Sequence, residues 1–153
     1  MQLRLVTTYL PKAEYESFPN AIAFVPPLTP FGLATDTNFD ATGTRMLVTP
    51  VWTGTLSGTY TKELAAGVFE ATASLYHSGS YRWEYTGTLN TGAYDLVNAH
   101  LSFSPAASQF KYSLYAKNLT NKAYIQGALP SPYSREAIYA PPREVGVTLD
   151  YSF

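Results

Sequence analysis

The chain has two imidazoles, His77 and His100, on separate stretches and without a cluster of acidic residues at ligand spacing. A metal site therefore has little support, and both are expected as polar residues of a lumen or a strand end. Asp36 and Asp40 could meet a cationic ligand or a divalent ion, but solvated loop carboxylates are the favoured reading. No Ser/His/Asp set, phosphate-binding glycine loop or pair of catalytic carboxylates presents itself. Cysteine is absent, which removes thiol catalysis, disulfides and zinc-thiolate sites. No enzyme activity, metal or cofactor is expected.

The segment Tyr81-Arg-Trp-Glu-Tyr85 carries more chemistry. Two tyrosines and a tryptophan beside a guanidinium can stack on or hydrogen-bond a small molecule. Tyr81, Arg82, Trp83 and Tyr85 are thus a candidate ligand-contacting loop, although an aromatic girdle plus a loop stem is the favoured alternative. Asn118-Leu-Thr120 has the pattern of a glycosylation acceptor, but a turn capped by the Asn side chain is favoured. Arg143, following two prolines, is expected to anchor the strand after it.

The elements that hold these residues follow from periodicity. Apolar residues alternate with polar ones in six stretches, and no amphipathic helix is convincing. The stretches are roughly 2–18, 51–61, 68–78, 93–103, 110–117 and 143–153. In the first, Leu3, Leu5, Thr7 and Tyr9 alternate with Arg4, Val6 and Thr8, and Pro11 marks an irregularity. The last is the cleanest: Val145, Val147, Leu149, Tyr151 and Phe153 share one face, and Gly146, Thr148, Asp150 and Ser152 the other. Between the first two, residues 19–45 hold Pro26, Pro27, Pro30, Gly32, Asp36, Asn38, Asp40 and Gly43, and are expected as a large loop without regular ladders. Two further loops are expected over 79–92 and 119–142, and short turns over 62–67 and 104–108. Connections so arranged alternate long, short, long, short, long, as in an antiparallel meander with its long loops at one end.

Composition places this meander. Hydrophobic residues make up 46% of the 153-residue chain but charged ones only 14%, against about 25% in ordinary soluble domains. The polar faces carry Thr, Ser and Asn rather than Lys and Glu, as suits a wet lumen better than bulk solvent. Aromatics gather near strand ends, with Trp52 and Tyr60 bracketing the second strand as an interface girdle and Tyr151 and Phe153 finishing the sixth. Eleven residues tilted by about 45° rise roughly 25 Å, the height of the apolar band in a membrane barrel. The net charge of −1 offers no electrostatic case for nucleic acid. The expected fold is all-β: an antiparallel up-and-down meander of about six long strands, a segment of a transmembrane β-barrel. A soluble β-sandwich binding module is the lesser alternative. Residues 1–11 lack the apolar core of a signal peptide, so the native start is expected upstream.

Two stretches carry a family resemblance. Tyr115-Ala-Lys-Asn-Leu-Thr-Asn-Lys-Ala-Tyr124 resembles the penultimate strand and last external loop of TonB-dependent outer-membrane receptors. Tyr139-Ala-Pro-Pro-Arg-Glu-Val-Gly-Val-Thr-Leu-Asp-Tyr-Ser-Phe153 is similar to their terminal pattern: a Pro-Pro-Arg opening, a Gly soon after, and an alternating strand that ends in Phe. Weaker echoes lie in Tyr94–Ser102 and Gly43–Thr53. The resemblance implies the C-terminal part of a barrel of about 22 strands, sited in the bacterial outer membrane. With an internal plug, such a barrel imports scarce ligands such as iron chelates, driven through TonB.

The plug, the TonB-contacting box and most strands have no counterpart here. Six strands are too few to enclose so wide a lumen, and transport by this chain alone is not expected. The resemblance also implies that Val145, Val147, Leu149, Tyr151 and Phe153 form the signal read by the barrel-assembly machinery, through edge pairing. Outer-membrane lipid, that machinery, TonB by way of the missing plug, and an unidentified small molecule are the expected partners. A self-contained porin-like or structural outer-membrane protein is the other alternative.

Overall fold

In a computed structural model, which describes residues 1–26 and 33–153, the six alternating stretches form one antiparallel sheet. The strands in chain order are β1 (Gln2–Tyr9), β2 (Ala21–Val25), β3 (Ala34–Phe39), β4 (Trp52–Leu64), β5 (Gly67–Ser78), β6 (Tyr81–Arg82), β7 (Asn90–Thr91), β8 (Tyr94–Pro105), β9 (Phe110–Lys117), β10 (Ile125–Pro130), β11 (Arg135–Tyr139) and β12 (Glu144–Tyr151). The large sheet has the order β1-β4-β5-β8-β9-β12, and each long strand pairs with the next long one along the chain. It is an up-and-down meander, open along β1 and β12.

Register sorts the side chains by chemistry. Leu5, Leu56, Leu75 and Val97 form one cross-strand row, and Tyr60, Ala71, Leu101, Leu114 and Val147 another. The opposite face carries rows such as Thr59–Thr72–His100–Tyr115 and Ser102–Ser113–Thr148. A twelve-residue strand such as β5, tilted by about 45°, rises roughly 28 Å.

The turns at one end are tight. Ala65 and Ala66 join β4 to β5, and 106–109 join β8 to β9. Gly67 has a φ of 145°, and a Cβ there would come within 2.7 Å of Pro105 Cα, so a side chain would push β5 away from β8. The expected turn over 62–67 is therefore shorter than its sequence suggests, because β4 continues to Leu64. Likewise Pro105 closes β8 instead of lying in the turn.

The loop end differs more. The first strand stops at Tyr9, not near Phe18, because the chain turns away at Leu10, whose N–H donates to the Val51 carbonyl. The stretch expected to lack ladders contains one, since β2 and β3 pair as a hairpin; Pro27, Pro30 and Gly32 lie outside the described residues. The third loop likewise contains a hairpin, β10 with β11, and β6 and β7 pair within the second. Local alternation in Ala21–Val25 survives among prolines because Ala21 and Ala23 bury their side chains almost completely.

Among the described residues the buried hydrophobic side chains are Ala21, Ala23, Ala41 and Tyr94. None of them comes from the apolar rows. That face is bare: Leu5 is 70% exposed, Val147 82% and Leu149 59%. The chain has 10,209 Å² of accessible surface, where a compact monomer of its mass has about 7,700 Å². The excess of about 2,500 Å² reflects a single sheet that, among the described residues, packs against nothing on either face.

Candidate functional site: the loop cluster and the closing strand

The three long connections meet above one end of the sheet, around a single buried ion pair. Glu84 is 4% exposed, and its Oε1 accepts a hydrogen bond from Arg135 Nε at 3.0 Å and another from the Thr88 hydroxyl. Arg135 Nη2 also donates to the Phe24 carbonyl at 3.3 Å. One guanidinium thus ties the β2–β3 hairpin, the 79–93 segment and the β10–β11 hairpin together. The Leu33 N–H adds a bond to the Pro132 carbonyl at 2.8 Å. Glu84 Oε2 is buried and has no hydrogen-bond partner among the described residues.

The candidate ligand-contacting aromatics sit inside this cluster. Tyr81 and Trp83 pack edge to face with centroids 5.5 Å apart. Trp83 Nε1 donates to the Thr91 hydroxyl, which donates in turn to the Ile125 carbonyl at 3.0 Å. Tyr85 lies among Tyr15, Phe18 and Phe39 at centroid distances of 5.9, 5.8 and 6.3 Å. Burial first, and then its contacts with Tyr15, hold the Tyr85 phenol above the usual tyrosine range. Tyr81 and Tyr85 therefore join loop to loop, Trp83 packs within its own segment, and Arg82 is the one that stays exposed. Asp36, within β3, and Asp40, just after it, accept from the Asn38 and Thr42 N–H groups at 2.9 Å. Thr42 keeps the Asp40 carboxyl below its ordinary range.

The Asn-Leu-Thr-Asn-Lys-Ala-Tyr stretch is a hinge between β9 and its loop. Asn118 and Asn121 both adopt the left-handed conformation, with φ of 47° and 54°, which Asn tolerates better than most residues. Asn118 is buried; its Oδ1 accepts from the Lys122 N–H at 2.8 Å, and its Nδ2 donates to the Lys122 and Pro141 carbonyls. Asn121 Oδ1 accepts from the Arg143 N–H at 2.9 Å. Tyr124 then stacks on Tyr94, with centroids 4.2 Å apart and planes 13° from parallel. The Asn side chain does cap the turn, and it also fixes where β12 begins.

On β12, Val145, Val147, Leu149 and Tyr151 all point to the bare face, and Tyr151 meets Phe110 at 4.9 Å. Phe153 lies just past the strand and is fully exposed. Gly146 faces Tyr115 across the pair; a Cβ there would stand 2.8 Å from Tyr115 Cε1 and closer still to the hydroxyl. The ring lies over the glycine and its hydroxyl donates to Glu144 Oε1 at 3.1 Å, pinning the register of β12. Trp52 begins β4 and is 51% exposed on the bare face. Tyr60 shares that face at 47% exposure, but β4 runs four residues beyond it. The aromatics nearer the short turns are Phe69, Phe103, Phe110, Tyr112 and Tyr151.

Register supplies one pairing that sequence spacing hides. His77 stands opposite Asp95, and His77 Nδ1 lies 2.7 Å from Asp95 Oδ1, with the ring beside Trp52. The β5–β8 alignment could have revealed it, but not separation along the chain. Among the described residues no group of three or more metal-ligating side chains occurs, and none of them forms a helix long and apolar enough to cross a membrane.

No family model matches the chain, and no curated protein sequence does. Its structure is similar to that of the ferric yersiniabactin uptake receptor FyuA from Yersinia pestis, with a TM-score of 0.68 and 18% sequence identity over 80% of this chain. At that identity the likeness is one of fold. The chain spans 19% of the length of that receptor.

Proposed function

We propose that the chain is a wall segment of a TonB-dependent outer-membrane receptor that takes up a scarce ligand such as an iron chelate, and that it does not transport alone. The observation that carries this reading is the bare apolar face of a single sheet whose long loops gather at one end. In water that face is a liability; against lipid it is the expected surface, with the strands paired side by side in one continuous sheet. The hydroxyl-rich face would then line the lumen. The loop cluster would stand outside the cell, and the tight turns would face the periplasm. The likeness to an uptake receptor over about a fifth of its length supports the same reading.

In this scheme the open edges at β1 and β12 are strands awaiting neighbours in the barrel wall. The unpaired N–H and C=O groups of β12 offer the assembly machinery a template for strand addition, with Tyr151 and Phe153 at its periplasmic end. TonB would act through a plug that these strands surround. The test is physical. Without detergent the purified chain is expected to aggregate, and with it to fold into a sheet-rich, heat-modifiable form. A sharp monomeric gel-filtration peak in plain buffer would sink the proposal. A heat-modifiable oligomer that conducts ions across a bilayer would favour a self-contained porin-like protein instead.

A further inference from the structure

We infer an anion-binding pocket at the foot of the loop cluster, formed by Arg45 and Arg82 and suited to a phosphate or carboxylate group. Both arginines line one cavity of about 380 Å³ with Thr49, Ser80, Tyr81 and Asn90, and no carboxylate is among its lining residues. Two cationic side chains lining one hollow that has no carboxylate in its lining favour an anion there. General basicity does not explain the pairing, because the whole chain carries a net charge of −1.

The two arginines are held differently, and both arrangements suit a ligand. Arg45 donates to three backbone carbonyls, those of Thr49 at 2.9 Å, Leu10 at 2.6 Å and Pro11 at 3.3 Å. The carbonyls satisfy its N–H groups and hold its guanidinium in place; Glu14 stands opposite it in an antiparallel bridge, but no ion pair forms between them. Arg82 is exposed, and its side chain makes no hydrogen bond or ion pair to the described residues. Its guanidinium lies against Gly87, where a Cβ would stand 3.4 Å from Nε. Planar, multi-donor guanidinium groups are the side chains best matched to oxyanions.

A strained turn supports the assignment. Val48, beside the lining residue Thr49, has a φ of 53°, a conformation that β-branched residues avoid. It is held by a hydrogen bond from its N–H to the Arg82 carbonyl at 2.9 Å. The turn that presents Arg45 is thereby tied to the strand that presents Arg82.

The ligand could be a free anion or the phosphate of a lipid headgroup at the rim of the membrane. The experiment separates them, using the full chain folded in a maltoside detergent, which carries no phosphate. Inorganic phosphate is titrated by calorimetry, and the folded chain is separately bound to phosphatidylcholine vesicles with and without phosphatidylglycerol. The expected result is saturable binding in at least one arm, weakened by about tenfold or more in Arg82→Gln and partly restored in Arg82→Lys. Arg82 is exposed, so this variant should fold; Arg4→Gln, on the sheet edge, is the control. Saturation by phosphate indicates a free anion, whereas dependence on phosphatidylglycerol alone indicates a headgroup. Absence of both, or an equal loss in Arg4→Gln, would overturn the pocket. The phosphate arm does not rest on the membrane reading, so the two can fail separately.

Discussion

Replacing Val147 by arginine probes what covers the bare face. Val147 lies at the middle of β12 and is 82% exposed, and Thr148 beside it points to the opposite face. Were both faces in water, an arginine at either site would change stability by no more than about 0.5 kcal/mol, as exposed substitutions usually do. If the apolar face meets lipid, arginine near the bilayer midplane costs about 2–4 kcal/mol, while a lumen-facing one costs little. That difference is roughly 30- to 700-fold in the ratio of folded to unfolded chain. Both positions share one edge strand, so any fraying lowers both alike and only their difference counts. The assay is urea unfolding of the chain in phosphatidylcholine bilayers, followed by tryptophan fluorescence and by heat modifiability on gels. Val147→Arg should lose about 2–4 kcal/mol relative to Thr148→Arg. Equal stabilities for the two variants, or a Val147→Arg chain that becomes a folded monomer without detergent, would refute lipid contact on that face.

Arg135→Met strips the buried Glu84 carboxylate of its partner and should loosen the loop cluster by about 3–5 kcal/mol, seen as faster hydrogen exchange over 81–91 and 125–139. Adding Glu84→Gln should recover much of the loss, and no recovery would argue that Arg135 acts through packing alone. Gly146→Val must displace the Tyr115 ring and should destabilise the sheet by about 1–3 kcal/mol in the same urea titration, with relief when Tyr115→Ala is added. Tyr85 has a raised folded pKa, so the stabilisation from its packed neutral phenol is intact below pH of about 10 and lost as pH climbs through the folded value. A phenolate absorbance titration, taken as the difference from Tyr85→Phe, should therefore have a midpoint above the free tyrosine value; a midpoint at or below it would contradict the packing of Tyr85 against Tyr15.

Val145, Val147, Leu149 and Tyr151 could be read as one face from sequence because strand periodicity is a local property: successive Cβ atoms must alternate whatever the strand pairs with. The same holds for Leu3 and Leu5 on β1, and for the alternation of long and short connections. The turn capped by Asn118 at the start of the last loop was also legible, since Asn is one of the few residues whose side chain satisfies such a turn locally.

What only the tertiary structure decided depends on partners distant in the chain. The hairpin β2–β3 hides in a Pro- and Asn-rich stretch because its stability comes from burying Ala21 and Ala23, which sequence reads as weak strand formers. Glu84 finds Arg135, and His77 finds Asp95, through cross-strand register and loop docking that spacing cannot encode. Tyr81, Trp83 and Tyr85 formed a candidate ligand-contacting set for which a girdle and loop stem was the favoured reading; what their rings pack against, and that the exposed Arg82 lines a cavity with Arg45, depended on how the loops dock. Local periodicity determined the wall; long-range pairing determined what stands above it.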